Sequence, residues 1–239
     1  MRVVVVVALC ALAVAGCESS QAKSARLAKA PRASSQEHGV KVTRENPDVR
    51  VLSTALVHDQ YGTAAIVELR SKARTPQADI PISFVVRGGG KRLFANDSPG
   101  LAKTLTHVPL LLPREHVWWV HDQVSADGAT SVSAKVGTST TKLPAKLPHL
   151  IATGLKLEQD PDGAYTAGKL RNDSDVTQLE LVVYGVAERG GKIVAAGRAG
   201  IDRLRPHATK PFKVFWIGKP QGATIHVFAP PTVLEEGQQ

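Results

Sequence analysis

Two stretches of this chain set carboxylates at spacings a cation could use. Asp160-Pro161-Asp162-Gly163 opens like a calcium loop, with two acidic side chains beside a glycine. Such a loop needs further oxygen ligands and a bidentate Glu at its twelfth position. The residues that follow supply neither, so the segment reads as a hairpin turn. Asn172-Asp173-Ser174-Asp175 also reads as a turn, with a weak surface cation site as its other reading. Eight histidines are dispersed from His38 to His226. His116 and His121 flank Val117-Trp118-Trp119-Val120, and on a strand that spacing sends them to opposite faces, which suits no shared metal. No serine sits in a Gly-x-Ser-x-Gly elbow, and no His-Glu-x-x-His is present. The residue pattern offers no nucleophile, base or metal shell. The expectation is a chain that is not an enzyme, with no catalytic residue, metal or cofactor.

One residue remains whose context implies chemistry. Arg2 precedes the apolar run Val3 to Ala15, which ends in Val14-Ala15-Gly16-Cys17. The run is too short to span a bilayer as a mature helix and matches the apolar region of a signal peptide. With Val14, Ala15 and Gly16 before the cysteine, the segment resembles a bacterial lipoprotein signal peptide and its lipobox. The resemblance implies cleavage after residue 16 and a thioether-linked diacylglycerol on Cys17. Two acyl chains anchor stably where one binds marginally. The implied location is outside the cytoplasm, on the outer face of the cytoplasmic membrane or on an outer membrane. Glu18 follows the cysteine and does not decide between them. Cys10 would leave with the signal, and residues 18–239 hold no cysteine. Disulfides, thiolate metal sites and cysteine nucleophiles are thereby excluded from the mature chain, and burial alone is expected to hold it together.

Residues 17–46 read as a lipidated, disordered tether, too poor in large apolar side chains to offset their ordering entropy. As a flexible coil it would reach about 30 Å. Lys23, Arg26, Lys29 and Arg32 recur every three residues. Beside a lipid anchor they could contact anionic headgroups, at about 1 kcal/mol each, or be merely solvated. The formal net charge of +9 suits an anionic envelope better than nucleic acid. The basic residues lack aromatic interleaving, and no nucleic-acid motif accompanies them.

An internal repeat organises the rest. Val67-Glu68-Leu69-Arg70-Ser71 matches Gly168-Lys169-Leu170-Arg171-Asn172. Arg87-Gly88-Gly89-Gly90-Lys91 matches Glu188-Arg189-Gly190-Gly191-Lys192. Val117-Trp118-Trp119-Val120 aligns with Val214-Phe215-Trp216-Ile217, and Gly128-Ala129-Thr130 with Gly222-Ala223-Thr224. The offset shrinks from 101 (Leu69 to Leu170) to 97 (Trp119 to Trp216) and 94 (Gly128 to Gly222), as loop insertions in the first copy would produce.

Each copy alternates like short strands between turn signals. In the first copy the strands fall at 49–57, 64–70, 80–87, 91–95, 117–121 and 130–136, with Thr130, Val132, Ala134 and Val136 inward. In the second they fall at 150–157, 164–171, 178–187, 192–196, 213–217 and 224–229. The glycine runs at 88–90 and 190–191 read as hairpin turns. The expected architecture is all-β: two tandem immunoglobulin-like β-sandwiches after a signal peptide and disordered tether. The bounds are 1–16 signal, 17–46 tether, 47–137 first sandwich, 138–148 a Pro-stiffened linker, 149–231 second sandwich and 232–239 tail.

In the second copy, Leu170-Arg171-Asn172-Asp173-Ser174, Leu179 to Tyr184, Gly190 to Val194, Leu204-Arg205-Pro206 and Phe212 to Trp216 resemble the FxLYD-type immunoglobulin-like domain, which occurs in tandem in bacterial envelope proteins. That resemblance implies a structural or binding role without catalysis. Adjacent Trp118 and Trp119 must point to opposite faces of a strand. Trp119 is assigned to the core and Trp118 outward, as a partner contact or a ring covered by a loop or the tether. Two functions stay open: a membrane-anchored interaction or structural module engaging an envelope protein, and a binding module for an anionic polymer or lipid surface.

Overall fold

The computed structural model describes residues 39–235. The expected signal peptide, Cys17, the lipobox residues, the cations at 23, 26, 29 and 32, and the last four residues lie outside that range. The described chain is all-β, and every strand pairing is antiparallel. Residues 49–136 form one β-sandwich and residues 150–228 a second, and no strand of one pairs with a strand of the other.

In the first half, β1 (Val49–Asp59), β2 (Gly62–Ser71) and β6 (His116–His121) form a sheet in the order β1-β2-β6. Against it stands β3 (Gln77–Gly88). One edge of β3 pairs with β7 (Ser131–Val136), and the other with β4 (Lys91–Ala95) and then β5 (His107–Leu111), end to end. In the second half, β8 (Leu150–Asp160), β9 (Gly163–Asn172) and β12 (Thr209–Phe215) form a sheet in the order β12-β9-β8. The facing sheet joins β10 (Gln178–Arg189), β11 (Lys192–Leu204), β13 (Ile217–Gly218) and β14 (Thr224–Phe228) in the order β13-β11-β10-β14. The hairpins β3–β4 and β10–β11 turn on glycine pairs with positive φ, 55° and 76° at Gly89 and Gly90, 58° and 73° at Gly190 and Gly191. A two-residue turn matching strand twist needs left-handed backbone at both central positions, where a Cβ would be strained.

Register refines the repeat. Gln77 and Gln178 open β3 and β10 at an offset of 101, while their partners Leu111 and Leu204 lie 93 apart. The difference is an eight-residue insertion in the first copy, which splits what is the single strand β11 in the second into β4 and β5. β5 was not expected from sequence, and β11 runs on to Leu204 rather than ending at 196. Trp119 is not the counterpart of Trp216. Trp119 pairs with Val67, and the residue paired at the matching place, with Gly168, is Phe212. The backbone N–H of Trp216 donates to the Ala164 carbonyl as that of Val124 does to the Thr63 carbonyl, so a small valine holds that place in the first half. Matching by residue type placed an indole on an indole and missed the true register by four residues. Thr130 is exposed just ahead of β7 instead of pointing inward.

The break between β4 and β5 leaves β3 backbone groups without a strand to bond. Fully buried Asn96 fills the gap. Its Oδ1 accepts the Phe84 N–H at 2.9 Å, and its Nδ2 donates to the carbonyls of Ile82 (2.9 Å) and Leu105 (3.0 Å). The inserted segment then makes a 3₁₀ turn at Lys103–Leu105.

The core is continuous through both halves. Residues 64–67 of β2 and 181–187 of β10 are buried without interruption, so both faces of each strand are covered. Leu181 and Val183 pack with Leu170, Phe212 and Val214 inside the second sandwich. The alternate residues Val182, Tyr184 and Val186 belong to the cluster of Ile66, Val120 and Phe84 in the first. The chain is thus four stacked sheets, with β1-β2-β6 and β13-β11-β10-β14 as the inner pair. Each fully buried aliphatic or aromatic side chain at that junction contributes about 1.5–3 kcal/mol.

Asn96 supplies the test of this arrangement. Asn96→Ala strands one buried N–H and two carbonyls and should cost about 2–4 kcal/mol, read as a shift in denaturant midpoint at constant slope. A change under about 0.5 kcal/mol would show the gap to be satisfied otherwise.

Candidate functional site

Where the two inner sheets meet, the first half brings its insertion and the end of β6, and the second brings β10 and β11. Arg198 on β11 is buried and points into the first half. Its Nη1 donates to Asp122 Oδ1 at 3.4 Å, and its Nη2 to the Thr104 hydroxyl at 2.9 Å. Its guanidinium lies 5.6 Å from the Tyr184 ring centre. The Thr104 carbonyl accepts from Trp119 Nε1 (3.2 Å) and from the Tyr184 hydroxyl (3.4 Å), one donor from each half. Elsewhere on the junction the Gly218 N–H donates to Asp59 Oδ2 at 2.7 Å. The eight-residue insertion therefore carries the hydroxyl and carbonyl that tie the halves together. The sequence expectation that burial alone holds the chain is corrected here: a buried ion pair and shared hydrogen bonds join the apolar contact.

This environment sets proton affinities. Burial, with the nearby Arg198 charge, lowers the His121 pKa to about 3. Burial lifts Asp122 above the usual carboxylate range, opposed by Arg198. Burial also pushes the Tyr184 hydroxyl up to about 12. His121 is the neutral aromatic its packing requires, edge-on to Phe84 at 5.0 Å and Phe94 at 5.4 Å.

Beside this polar junction lies an apolar cleft of about 570 Å³, within the range of small-ligand and peptide-anchor pockets. The β5–β6 region and Trp118 form one wall. The segment 147–152 forms the floor. Tyr184, Phe228, Pro230 and Pro231 close the far side. Glu115 sits on its wall, accepting the Leu112 N–H at 2.6 Å, and burial raises its pKa. The Glu115 carboxyl, at the edge of an apolar trough, can accept one orienting hydrogen bond.

Trp118 and Trp119 take opposite faces as expected. Trp119 is 2% exposed in the core. Trp118 is half-buried rather than free in solvent, with the rings of His116 and His226 tilted against it, each centre 4.7 Å away. His116 is in turn 2.7 Å from Glu68 Oε1, whose other oxygen takes the Ser53 hydroxyl. His116 and His121 lie on opposite faces, as their spacing predicts. Asp160 to Gly163 is the β8–β9 turn, with the Asp162 N–H on Asp160 Oδ1 at 2.9 Å. Asn172 is a buried brace, donating to the carbonyls of Val176, Leu204 and Arg205. Among the described residues no three His, Cys, Asp or Glu side chains assemble as a metal shell.

Sequence reasoning missed the cleft, Arg198 and Asp122. One signal was present: the unbroken apolar runs 64–67 and 181–187 mark two-sided burial, and hence a second packed face for each sheet. No protein-family model and no curated protein sequence matches the chain.

The lowered His121 pKa makes stability depend on pH with a definite sign. The unfolded ring takes up a proton near 6.5 and the folded one near 3. Its contribution is complete above about 6.5 and is lost as pH falls through that window, at about 1.4 kcal/mol per unit. Denaturant melts at pH 7 and pH 5 should show a smaller loss in His121→Phe than in the parent chain. Equal losses would place the acid sensitivity elsewhere.

Proposed function

We propose that this protein is a lipid-anchored, extracytoplasmic, non-enzymatic interaction module of a bacterial envelope, and that the cleft beside Trp118 is where its partner docks. The signal and lipobox pattern ending at Cys17 supports the address, and the resemblance to tandem FxLYD-type domains supports a binding role. The single observation that carries the docking site is the cleft itself. It is an apolar trough at the seam of two sandwiches, with a half-buried tryptophan on its wall and one carboxyl to orient an occupant. Tryptophan in a partly desolvated pocket is the residue type that most often dominates interface energy. The partner it fits is an extended apolar segment of another envelope protein, carrying a hydrogen-bonding group for Glu115.

Site-specific photocrosslinking in intact cells tests this reading. A crosslinker at Leu112 on the cleft should capture one recurring envelope protein, and one at Lys91 on the distant β3–β4 turn should not. Trp118→Ala should abolish the capture, and so should Cys17→Ser, which leaves the chain unanchored. The same products from both positions, or lipid alone, would remove the cleft from the account.

A second reading, an anionic polymer or lipid surface as ligand, has one specific observation in its favour. The register of β12-β9-β8 puts Lys156, Lys169, Arg171 and Lys213 on one face, the outer face of the last sheet. Asp160 and Asp173 offset two of these charges. Membrane contact by Lys23, Arg26, Lys29 and Arg32 belongs to the same reading. Binding of this kind should collapse between about 0.1 M and 1 M salt, as the screening length falls from about 10 Å to 3 Å. Retention on anionic vesicles at 1 M salt would contradict it.

A further inference from the structure

The two sandwiches treat equivalent edge strands differently. In the first half, β1 likewise pairs only with β2 and leaves Leu52 exposed, but its later residues are tied to neighbouring strands. The Thr54 hydroxyl reaches across to the Val132 carbonyl of β7 at 2.8 Å, and Asp59 takes a backbone N–H from β13. In the second half, the corresponding strand β8 pairs only with β9, leaving its other edge unpaired among the described residues. Where Thr54 stands in the first copy, the second has Leu155. Leu155 and Leu157 are each 41% exposed. A long strand edge with two uncovered leucines is a template for a further strand.

We propose that the occupant is β8 of a second copy, paired antiparallel about Leu157. The strand is complementary to itself in that register. Leu157 faces Leu157 of the other copy across the two-fold axis, and Lys156 stands opposite Glu158 twice. Opposite charges directly across an antiparallel pair are stabilising, and like charges are not. The Gly154 bulge, with φ of +65°, bends the strand just before this segment and confines regular pairing to the residues after it. The product is a two-fold dimer with one continuous six-stranded sheet, β12-β9-β8 from each copy, a closed assembly with isologous contacts.

The mature chain's lack of cysteine beyond Cys17 makes the test direct. Cα atoms opposite each other in an antiparallel pair lie about 4.5–5.5 Å apart, within reach of a disulfide. Leu157→Cys in the full chain, oxidised mildly in intact cells, should give a disulfide-linked dimer. Leu93→Cys, at a residue 37% exposed in the first half, should not, and the parent chain is the blank. Adding Lys156→Glu to Leu157→Cys should lower the dimer yield about tenfold, because two attractive pairs become repulsive. Adding Glu158→Lys as well should restore it. No more dimer from Leu157→Cys than from Leu93→Cys would overturn the proposal. So would a yield indifferent to Lys156→Glu, or one that the charge swap fails to restore. Leu157, Lys156 and Glu158 are all exposed, but Glu158 also accepts the Tyr165 hydroxyl at 2.7 Å, so a thermal melt of each variant is read beside its dimer yield and only variants that melt like the parent count.

Discussion

A guanidinium held away from water is the constraint around which the junction is arranged. Burying Arg198 beside Asp122 costs several kcal/mol per ion in desolvation, recovered only if geometry and hydrogen bonds are good. The supporting groups come from both halves: Asp122 from the end of β6, the Thr104 hydroxyl from the insertion, and the Tyr184 ring from β10. Separating the halves would leave Arg198 without its carboxylate and the Tyr184 hydroxyl without the Thr104 carbonyl. The apolar residues at the junction supply attraction without direction. The polar group supplies register, fixing which face of β10 meets which part of the first sandwich.

The insertion follows from the same logic. Eight extra residues interrupt one strand of the first copy, and the interruption would be costly without Asn96 to bond the exposed β3 edge. In return the inserted turn sits over the side of β6, where the Thr104 carbonyl reaches Trp119 in one half and Tyr184 in the other. The repeat is therefore asymmetric where the copies touch. The cleft lies beside this asymmetric contact, with Trp118, Tyr184, Phe228 and the segment 147–152 in its lining.

Local structure was largely legible in the sequence. Period-two alternation at Ile80, Ile82, Phe84 and Val86 marked a strand with one fully buried face, and glycine pairs marked both long hairpins. What was not legible is what depends on distant partners. Asn96-Asp97-Ser98-Pro99-Gly100 has the composition of any surface loop, and nothing local distinguishes an asparagine that plugs a sheet from one in water. Arg198 and Asp122 lie 76 residues apart, and each alone reads as a surface charge. The repeat misaligned Trp119 with Trp216 because an indole match outweighed a gap whose length only the hydrogen-bond register reveals. The runs 64–67 and 181–187 carried the missing information, since an uninterrupted apolar strand must be covered on both sides.

The central claim is that the two sandwiches form one body through this junction. Calorimetric unfolding of the protein decides it, because a two-state unit has equal calorimetric and van't Hoff enthalpies. One cooperative body gives a single transition with a ratio near one, followed identically by fluorescence from Trp118 and Trp119 in a Trp216→Phe chain and from Trp216 in a chain with Trp118 and Trp119 replaced by Phe. Two resolved transitions, or a ratio near two with the tryptophan signals separating, would show sandwiches that unfold independently and a junction too weak to define the cleft.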